Sequence, residues 1–409
     1  MILHLGTFDV DNYGDLLYPI VFRHVLKNRD ATWQVLHCSP TAGEAPREAG
    51  FETRSIRTLF EASAESRTLV IGGGDILRTD WEVVASHYST NSRTSFRGLN
   101  RSIGTLGAFA YLWRRNVARL DPTSLFADRF RSCWMNYPGA GPFLVDAANL
   151  PHGSSVSYIS CGVPHDFSPT DRDPVKRSLD QARFIYLRDN QSAEKLRRAG
   201  VHGKIHVAPD MAVTLSDQFD KEEQVRHARE TLSTFGIERD RPFLCFQGKP
   251  YPGFDEEEIV RQLRSYQERT NSSVVLLPIG YCHGDHKFLQ SLSRRSGGKL
   301  TYAGVGSIAD IMSIIAACDL FVGTSLHGNI TALSFGIPHL PGPLPVDKLD
   351  GYLSVVNLPS ELKLHSWKEM NDKLDLVVKL RPELFAKRAM EAKERVYQAV
   401  DELLYDLPT

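Results

Sequence analysis

The chain has 409 residues, 42% of them hydrophobic and 24% charged, with a formal net charge of -1. That length suits two globular domains of roughly 150–200 residues each. So small a net charge leaves no electrostatic footprint for nucleic acid, and any substrate phosphate must be held by a local basic pocket.

The six cysteines (Cys38, Cys133, Cys161, Cys245, Cys282 and Cys318) are scattered, with no C-x-x-C pair. Several fall inside strand-like runs such as FLCFQ and YISCG, which suits small buried thiols in a reducing compartment. The opening MILHLGTFD lacks a charged leader before an apolar run, so no signal peptide is expected. No apolar stretch approaches the roughly 18–20 residues of a spanning helix. The expected location is the cytoplasm, with the inner face of the membrane as the alternative.

In chain order, MILHLG, WQVLHCS, TLVIGGG, SVSYISCG, ARFIYLRD and KIHVAPD read as strands of a first half. FLCFQG, SVVLLPIG, KLTYAG and DLFVGT read as strands of a second. Helical patterns lie between them, which argues for βα units and parallel sheets. NQSAEKLRRAG is expected to start with Asn190 as its cap and to close on Gly200. SIADIMSIIAAC follows Ser307, and LHGNITALSFG ends at Gly336 before Pro338. The charged segment SDQFDKEEQVRHARETLSTFGIERDRP is the expected interdomain connection. After Pro345 the pattern is helical, as in RPELFAKRAMEAKERVYQAVDELL.

The predicted fold is α/β, with two Rossmann-like parallel-sheet domains facing a cleft and closing C-terminal helices, similar to B-type glycosyltransferases. The expected divisions are 1–215 (acceptor side), 216–345 (donor side) and 346–409 (helices packing back across the domains). An insertion at about 79–151, rich in aromatics and arginine, interrupts the first domain. It reads as an extra helix packed on that domain. The alternative is a membrane-surface or lipid-carrier contact through Trp113, Arg114 and Arg115.

Four stretches stand where chemistry is expected, at strand ends facing the cleft. In GTFDVDNYGDLLYPIVFRHVL a polar loop leads into a helix starting near Asp15. Its carboxylates Asp9, Asp11 and Asp15 would repel phosphate and suit sugar hydroxyls, unless Asp15 merely caps the helix. Asp11 and Asn12 are therefore candidate acceptor contacts, together with Asp75 after the glycine run IGGGD. Those glycines permit close approach of a ligand or of a neighbouring helix. In FIYLRDNQSAEKL, Arg188 can grip an anion through a bidentate fork, or form a structural pair with Asp189.

The fourth stretch is VGTSLHGNITALSFGIPHL. Thr324, Ser325, Leu326 and Gly328 open a helix whose free amides and hydroxyls make a ready anion site. His327 beside them can move a proton near neutral pH. Lys249 in FQGKPYPGF and His283 in PIGYCHGDH are further donor-side candidates. The cluster His283, Asp285 and His286 hints at a metal, but spacing supplies no further ligand, and no metal is expected.

Taken together, GTFDVDNYGD, LVIGGGD, YLRDNQS, APDMAV and GTSLHGNITALSFGIP resemble the polysaccharide pyruvyl transferase family, over roughly Met1 to Leu340. The resemblance implies transfer of a pyruvyl group from phosphoenolpyruvate onto a saccharide or lipid-linked saccharide, forming a cyclic ketal and releasing phosphate. It implies roles in exopolysaccharide or cell wall biosynthesis, with no cofactor beyond the donor substrate. It also implies Arg188 as a ligand for the donor's carboxylate or phosphate; that chemistry needs a proton supplied or relayed, a role open to His327, with Asp15 the second catalytic candidate. Many family members carry arginine immediately before the Leu-His pair, where this chain has Ser325; Lys249 or His283 is the expected replacement cation.

The main rival is a nucleotide-sugar glycosyltransferase, which commonly holds the ribose with a glutamate in this helix, where only Asn329 and Thr331 stand. A non-catalytic sugar-binding protein with a degenerate donor pocket is the other. The sequence leaves a homo-oligomer and a peripheral membrane contact open, and predicts no nucleic-acid partner.

Overall fold

The computed structural model describes residues 1–29, 33–40, 43–55, 68–77, 139–238, 240–344, 348–380 and 382–406. The strands of the first half are β1 (Ile2–Leu5), β2 (Val35–Ser39), β3 (Gly43–Glu44), β4 (Glu52–Ser55) and β5 (Thr68–Gly74). A hairpin of β6 (Gly139–Gly141) and β7 (Leu144–Val145) stands apart, followed by β8 (Ser155–Cys161), β9 (Phe184–Leu187) and β10 (Ile205–Val207). The second half holds β11 (Phe243–Gln247), β12 (Ser273–Leu276), β13 (Thr301–Tyr302), β14 (Leu320–Gly323) and β15 (His339–Pro341).

The first sheet runs β10-β9-β8-β5-β1-β2-β4-β3 and the second β13-β12-β11-β14-β15. Every pairing in both is parallel except β3 with β4. Helices cover both faces of such sheets, so the central strands are apolar throughout. All of β1, β5, β8, β11 and β14 is buried.

In each sheet the strand order reverses once, between β1 and β5 in the first and between β11 and β14 in the second. Crevices open beyond the carboxyl ends of the strands at such reversals. The fold therefore places Thr7 and Asp75 at one crevice, and Gln247 and Thr324 at the other.

Local chemistry sets the helix ends. Ser307 forms a capping box with Asp310 at the start of Ile308–Ala317, and Gly336 closes Leu326–Ser334 with φ +69°. The Asn190–Arg198 helix is capped one residue earlier than expected. The Asp189 carboxylate accepts from the Ser192 amide at 2.6 Å, because the aspartate is extended and Asn190 already helical. The segment expected to connect the halves carries the Lys221–Ser233 helix.

Two features tie the halves together. Arg47 grips Asp11 through two nitrogens at 2.6 and 3.3 Å, donates to the Val305 and Gly306 carbonyls, and lies 3.5 Å over the Tyr281 ring. The Pro382–Asp406 helix reaches from the second half to the first. There Asp401 pairs with Arg29 at 2.8 Å and Lys393 with Asp217 at 2.6 Å. Residues 78–138, with Trp113, Arg114 and Arg115, lie outside the described residues. No helix among the described residues is long and apolar enough to cross a membrane.

Candidate active site

Both crevices open into one cleft of about 350 Å³. Thr7, Asn12, Asp15, Asp75 and Arg188 line it from the first half. Gln247, Lys249, His283, Asp285, Thr324, Ser325, Leu326 and His327 line it from the second, with Lys348 from the helix that follows. Ten of the sequence-predicted site residues are thus brought together, and two are not.

His327 sits in the first turn of Leu326–Ser334, yet its contacts are with the other half of the protein. Its Nε2 lies 2.9 Å from the Tyr18 hydroxyl and 3.7 Å from Asp210 Oδ2. The Tyr18 hydroxyl donates to the same carboxylate oxygen at 2.5 Å. Asp210 follows β10, where its other oxygen caps the short Met211–Thr214 turn by accepting from the Ala212 amide at 3.0 Å. Burial pushes the Asp210 carboxyl up, but His327, Arg188 and Tyr18 outweigh it and hold it below the usual range.

The ring's other edge meets Gly14, where a Cβ would overlap His327 Nδ1. A second glycine makes room for Tyr18: Gly73 has φ +90°, and a Cβ there would overlap the Tyr18 ring. Of the two readings of the glycine run, approach of the neighbouring helix is the one realised at Gly73.

Arg188 is 4% exposed and faces three carboxylates. Its Nη2 donates to Asp75 Oδ1, its Nη1 stands 3.6 Å from Asp210, and its Nε stands 4.0 Å from Asp189. Burial opposes the charge on the guanidinium, and the surrounding acids more than restore it. The fork expected to grip a substrate anion is already engaged by protein carboxylates. The expected structural partner, Asp189, is the most distant of the three. Burial likewise pushes Asp75 up, while Arg188, Lys348 and His327 hold it ionised below the usual range.

On the opposite wall Gln247 organises the strand ends. Its Oε1 accepts from the Ser325 amide at 2.7 Å and the Thr324 hydroxyl at 3.3 Å, and its Nε2 donates to Asp285 at 2.7 Å. Ser325 is the N-cap, its hydroxyl accepting from the Gly328 amide at 3.2 Å. The Leu326 and His327 amides, in the first turn, have no intrahelical acceptor and make a site for negative charge. Lys249 and Lys348 stand on the same cleft. Burial lowers the Lys348 ammonium below its ordinary range, and a second cation, Lys249, adds to this. Such a lysine is stabilised by an incoming anion.

Two expected contacts fail. Asp11 is held away by Arg47, since a bidentate guanidinium engages both of its oxygens. Gly328 is packing, not binding: its amide is used by the Ser325 cap, and a Cβ there would come within 2.6 Å of Phe321. Asp15 is not the helix cap; Asn12 occupies that position and donates to Asp15 Oδ2 at 2.7 Å.

The H-x-D-H stretch divides. Asp285 turns to Gln247 and the Gly280 amide, its carboxyl pushed up to about 6 by burial, while His286 stacks on Tyr281. Among the described residues no three His, Cys, Asp or Glu side chains converge as a metal site. Sequence reasoning missed Tyr18, Asp210, Gln247 and Lys348. Asp210 lies inside the quoted APDMAV motif and Gln247 ends the quoted strand FLCFQ, a signal that went unused; Tyr18 and Lys348 carry no comparable one.

Two Rossmann-like sheets meeting at a polar cleft define the architecture of B-type glycosyltransferases and related sugar-nucleotide enzymes. Solved structures of that fold match nearly the whole chain. Anabaena Alr3699/HepE in complex with UDP-glucose shares 13% identity over 99% of both chains, with a TM-score of 0.54. The UDP-GlcNAc 2-epimerase from Methanocaldococcus jannaschii shares 10% identity over 99% of both, also at 0.54. The polysaccharide pyruvyl transferase family matches residues 12–341, and the chain belongs to that family. No curated protein matches its sequence.

Proposed function

We propose that this transferase moves a pyruvyl group from phosphoenolpyruvate onto a sugar of a polysaccharide or its lipid-linked precursor, forming a cyclic ketal and releasing phosphate. One observation carries the reading: a cleft of about 350 Å³ joins Lys249, Lys348 and the open amides of Leu326 and His327 on one wall to Asn12, Asp15 and Asp75 on the other. The basic wall suits a small, highly charged donor, and the acidic wall suits sugar hydroxyls. Arg188 then acts indirectly, by holding Asp75 and Asp210. No resident cofactor or metal enters the scheme.

In this scheme a proton from His327 reaches the methylene carbon of phosphoenolpyruvate, which becomes the methyl group. One sugar hydroxyl adds to the central carbon, its proton passing to a base such as Asp15. The bond from that carbon to phosphate oxygen then breaks. A second hydroxyl closes the ketal, and its proton leaves with inorganic phosphate. The basic wall stabilises the phosphate as it departs. A cytoplasmic site of action follows, with any lipid-linked acceptor at the inner membrane face.

A nucleotide-sugar glycosyltransferase is the second reading, since solved neighbours hold UDP or UDP-glucose. Helix Leu326–Ser334 speaks against it here. Asn329 Nδ2 donates to the Gly323 and Ser325 carbonyls at 2.9 and 2.7 Å, and the Thr331 hydroxyl bonds Tyr13 at 3.0 Å. Neither is left to hold a ribose. Calorimetry with phosphoenolpyruvate and UDP-sugars, followed by phosphate release with a panel of acceptor glycans, tests the proposal. Binding of a UDP-sugar with none of phosphoenolpyruvate reverses it, and binding of neither identifies a degenerate pocket.

A further inference from the structure

We infer that neutral His327 carries its ring proton on Nε2, and that Tyr18 and Asp210 are the positioning residues that hold it there. The use made of the proton rests on the proposed reaction; the tautomer is a property of the protein alone.

The argument is a count of hydrogens. Asp210 is ionised and can only accept. One of its oxygens takes the Ala212 amide and the other the Tyr18 hydroxyl. Tyr18 has a single hydroxyl hydrogen, and the 2.5 Å contact commits it to Asp210. Its oxygen, 2.9 Å from His327 Nε2, can therefore only accept from that nitrogen. Neutral His327 is then the Nε2–H tautomer, with its lone pair on Nδ1. Nδ1 has no hydrogen-bond partner among the described residues and packs against Gly14, too closely for a methyl group to fit between them.

The charges around the ring agree. Its own helix, Leu326–Ser334, carries none. Asp210 after β10, Asp75 after β5 and Asp15 on the Tyr13–Lys27 helix favour the imidazolium. Arg188 after β9 and the cleft lysines 249 and 348 oppose it. Nε2–H stays on Tyr18 in either protonation state, so the ring's buried hydrogen bonds are the same in both. The acid that orients the histidine belongs to one half of the protein and the histidine to the other, so the proton donor is assembled only when the halves are in register.

The test is 15N NMR of protein labelled at the histidine rings, with His327→Gln assigning the signal. We expect neutral His327 to show a protonated Nε2 and an unprotonated Nδ1. Tyr18→Phe, which removes only the hydroxyl, should mix the tautomers. A neutral Nδ1–H tautomer in the parent protein overturns the inference, as does an unchanged ring in folded Tyr18→Phe. No substrate is needed, so a protein inert toward phosphoenolpyruvate would refute the proposed reaction and leave this assignment standing.

Discussion

Gly14 and His327 are in van der Waals contact across the two halves of the protein, with no space between them for a methyl group. Gly14 lies in the first turn of Tyr13–Lys27, where alanine would be favoured by about 1 kcal/mol on helix propensity alone. Steric overlap with the ring outweighs that gain. Gly14→Ala is expected to displace His327 and lower turnover toward the level of His327→Ala, about 10²–10⁴-fold below the parent. Stopped assays on both variants, with circular dichroism to confirm folding, check this. Full activity in Gly14→Ala would show that the ring can move without cost.

In the proposed reaction the cleft cations Lys249 and Lys348 hold the donor's negative charge, with Ser325 where the family resemblance implies an arginine. Lys249→Ala and Lys348→Ala should each weaken phosphoenolpyruvate binding by about 1.5–3 kcal/mol, the range for hydrogen bonds to charged groups. Ser325→Arg should restore part of the loss in either background. Calorimetry decides. If Lys348→Ala binds as the parent does, Lys249 and the helix amides hold the donor alone.

Arg188 is expected to matter for stability before it matters for binding. Arg188→Met leaves Asp75, Asp189 and Asp210 without their shared cation and should cost about 3–5 kcal/mol by urea unfolding. Arg188→Lys keeps the charge but not the fork, and should lose less. Its phosphoenolpyruvate affinity should stay closer to the parent's than that of Lys348→Ala. The reverse order, in a protein of undiminished stability, would place the guanidinium on the donor.

Acid should destabilise the first sheet through His4 and His37, whose Nδ1 atoms lie 3.1 Å apart in its core. Burial lowers both, His37 to about 3, with Arg23 adding to it. The unfolded chain takes up protons below pH 6.5 while the native pair does not. Their contribution is therefore intact above that pH and falls as pH drops from 6.5 toward 3, by about 1.4 kcal/mol per pH unit for each histidine. Asp285, pushed up to about 6, works in the opposite sense over the upper part of that window. Urea titrations at pH 7 and 5 should show the net loss, and His37→Asn should flatten it.

Strands were legible where they are buried on both faces. MILHLG and TLVIGGG can be little else, whereas ETRS in β4 alternates and sits near a sheet edge, so it left no apolar run to read. Site residues were legible where a strand end delivers them, as with Arg188, Thr324 and His327. Tyr18 was not, because it reads as one more apolar position of an amphipathic helix. Lys348 opens a helix past the last strand, seven residues beyond the end of the family match. Arg188 was found with its neighbour Asp189, but its contacts with Asp75 and Asp210 were not. The acids that engage it come from three separate segments, and no local pattern announces a contact between positions 75 and 188.

The Pro382–Asp406 helix has a bearing on how the protein is made. It packs against β9 and the Met211–Thr214 turn of the first half, although it is synthesised after the whole of the second. Those surfaces of β9 and the turn therefore emerge from the ribosome without this cover and wait through nearly two hundred further codons for it. During that interval the nascent chain is a substrate for chaperones and a hazard for aggregation. Translation pauses or premature stops before the helix would be felt in the first half of the molecule, not at the end that is missing.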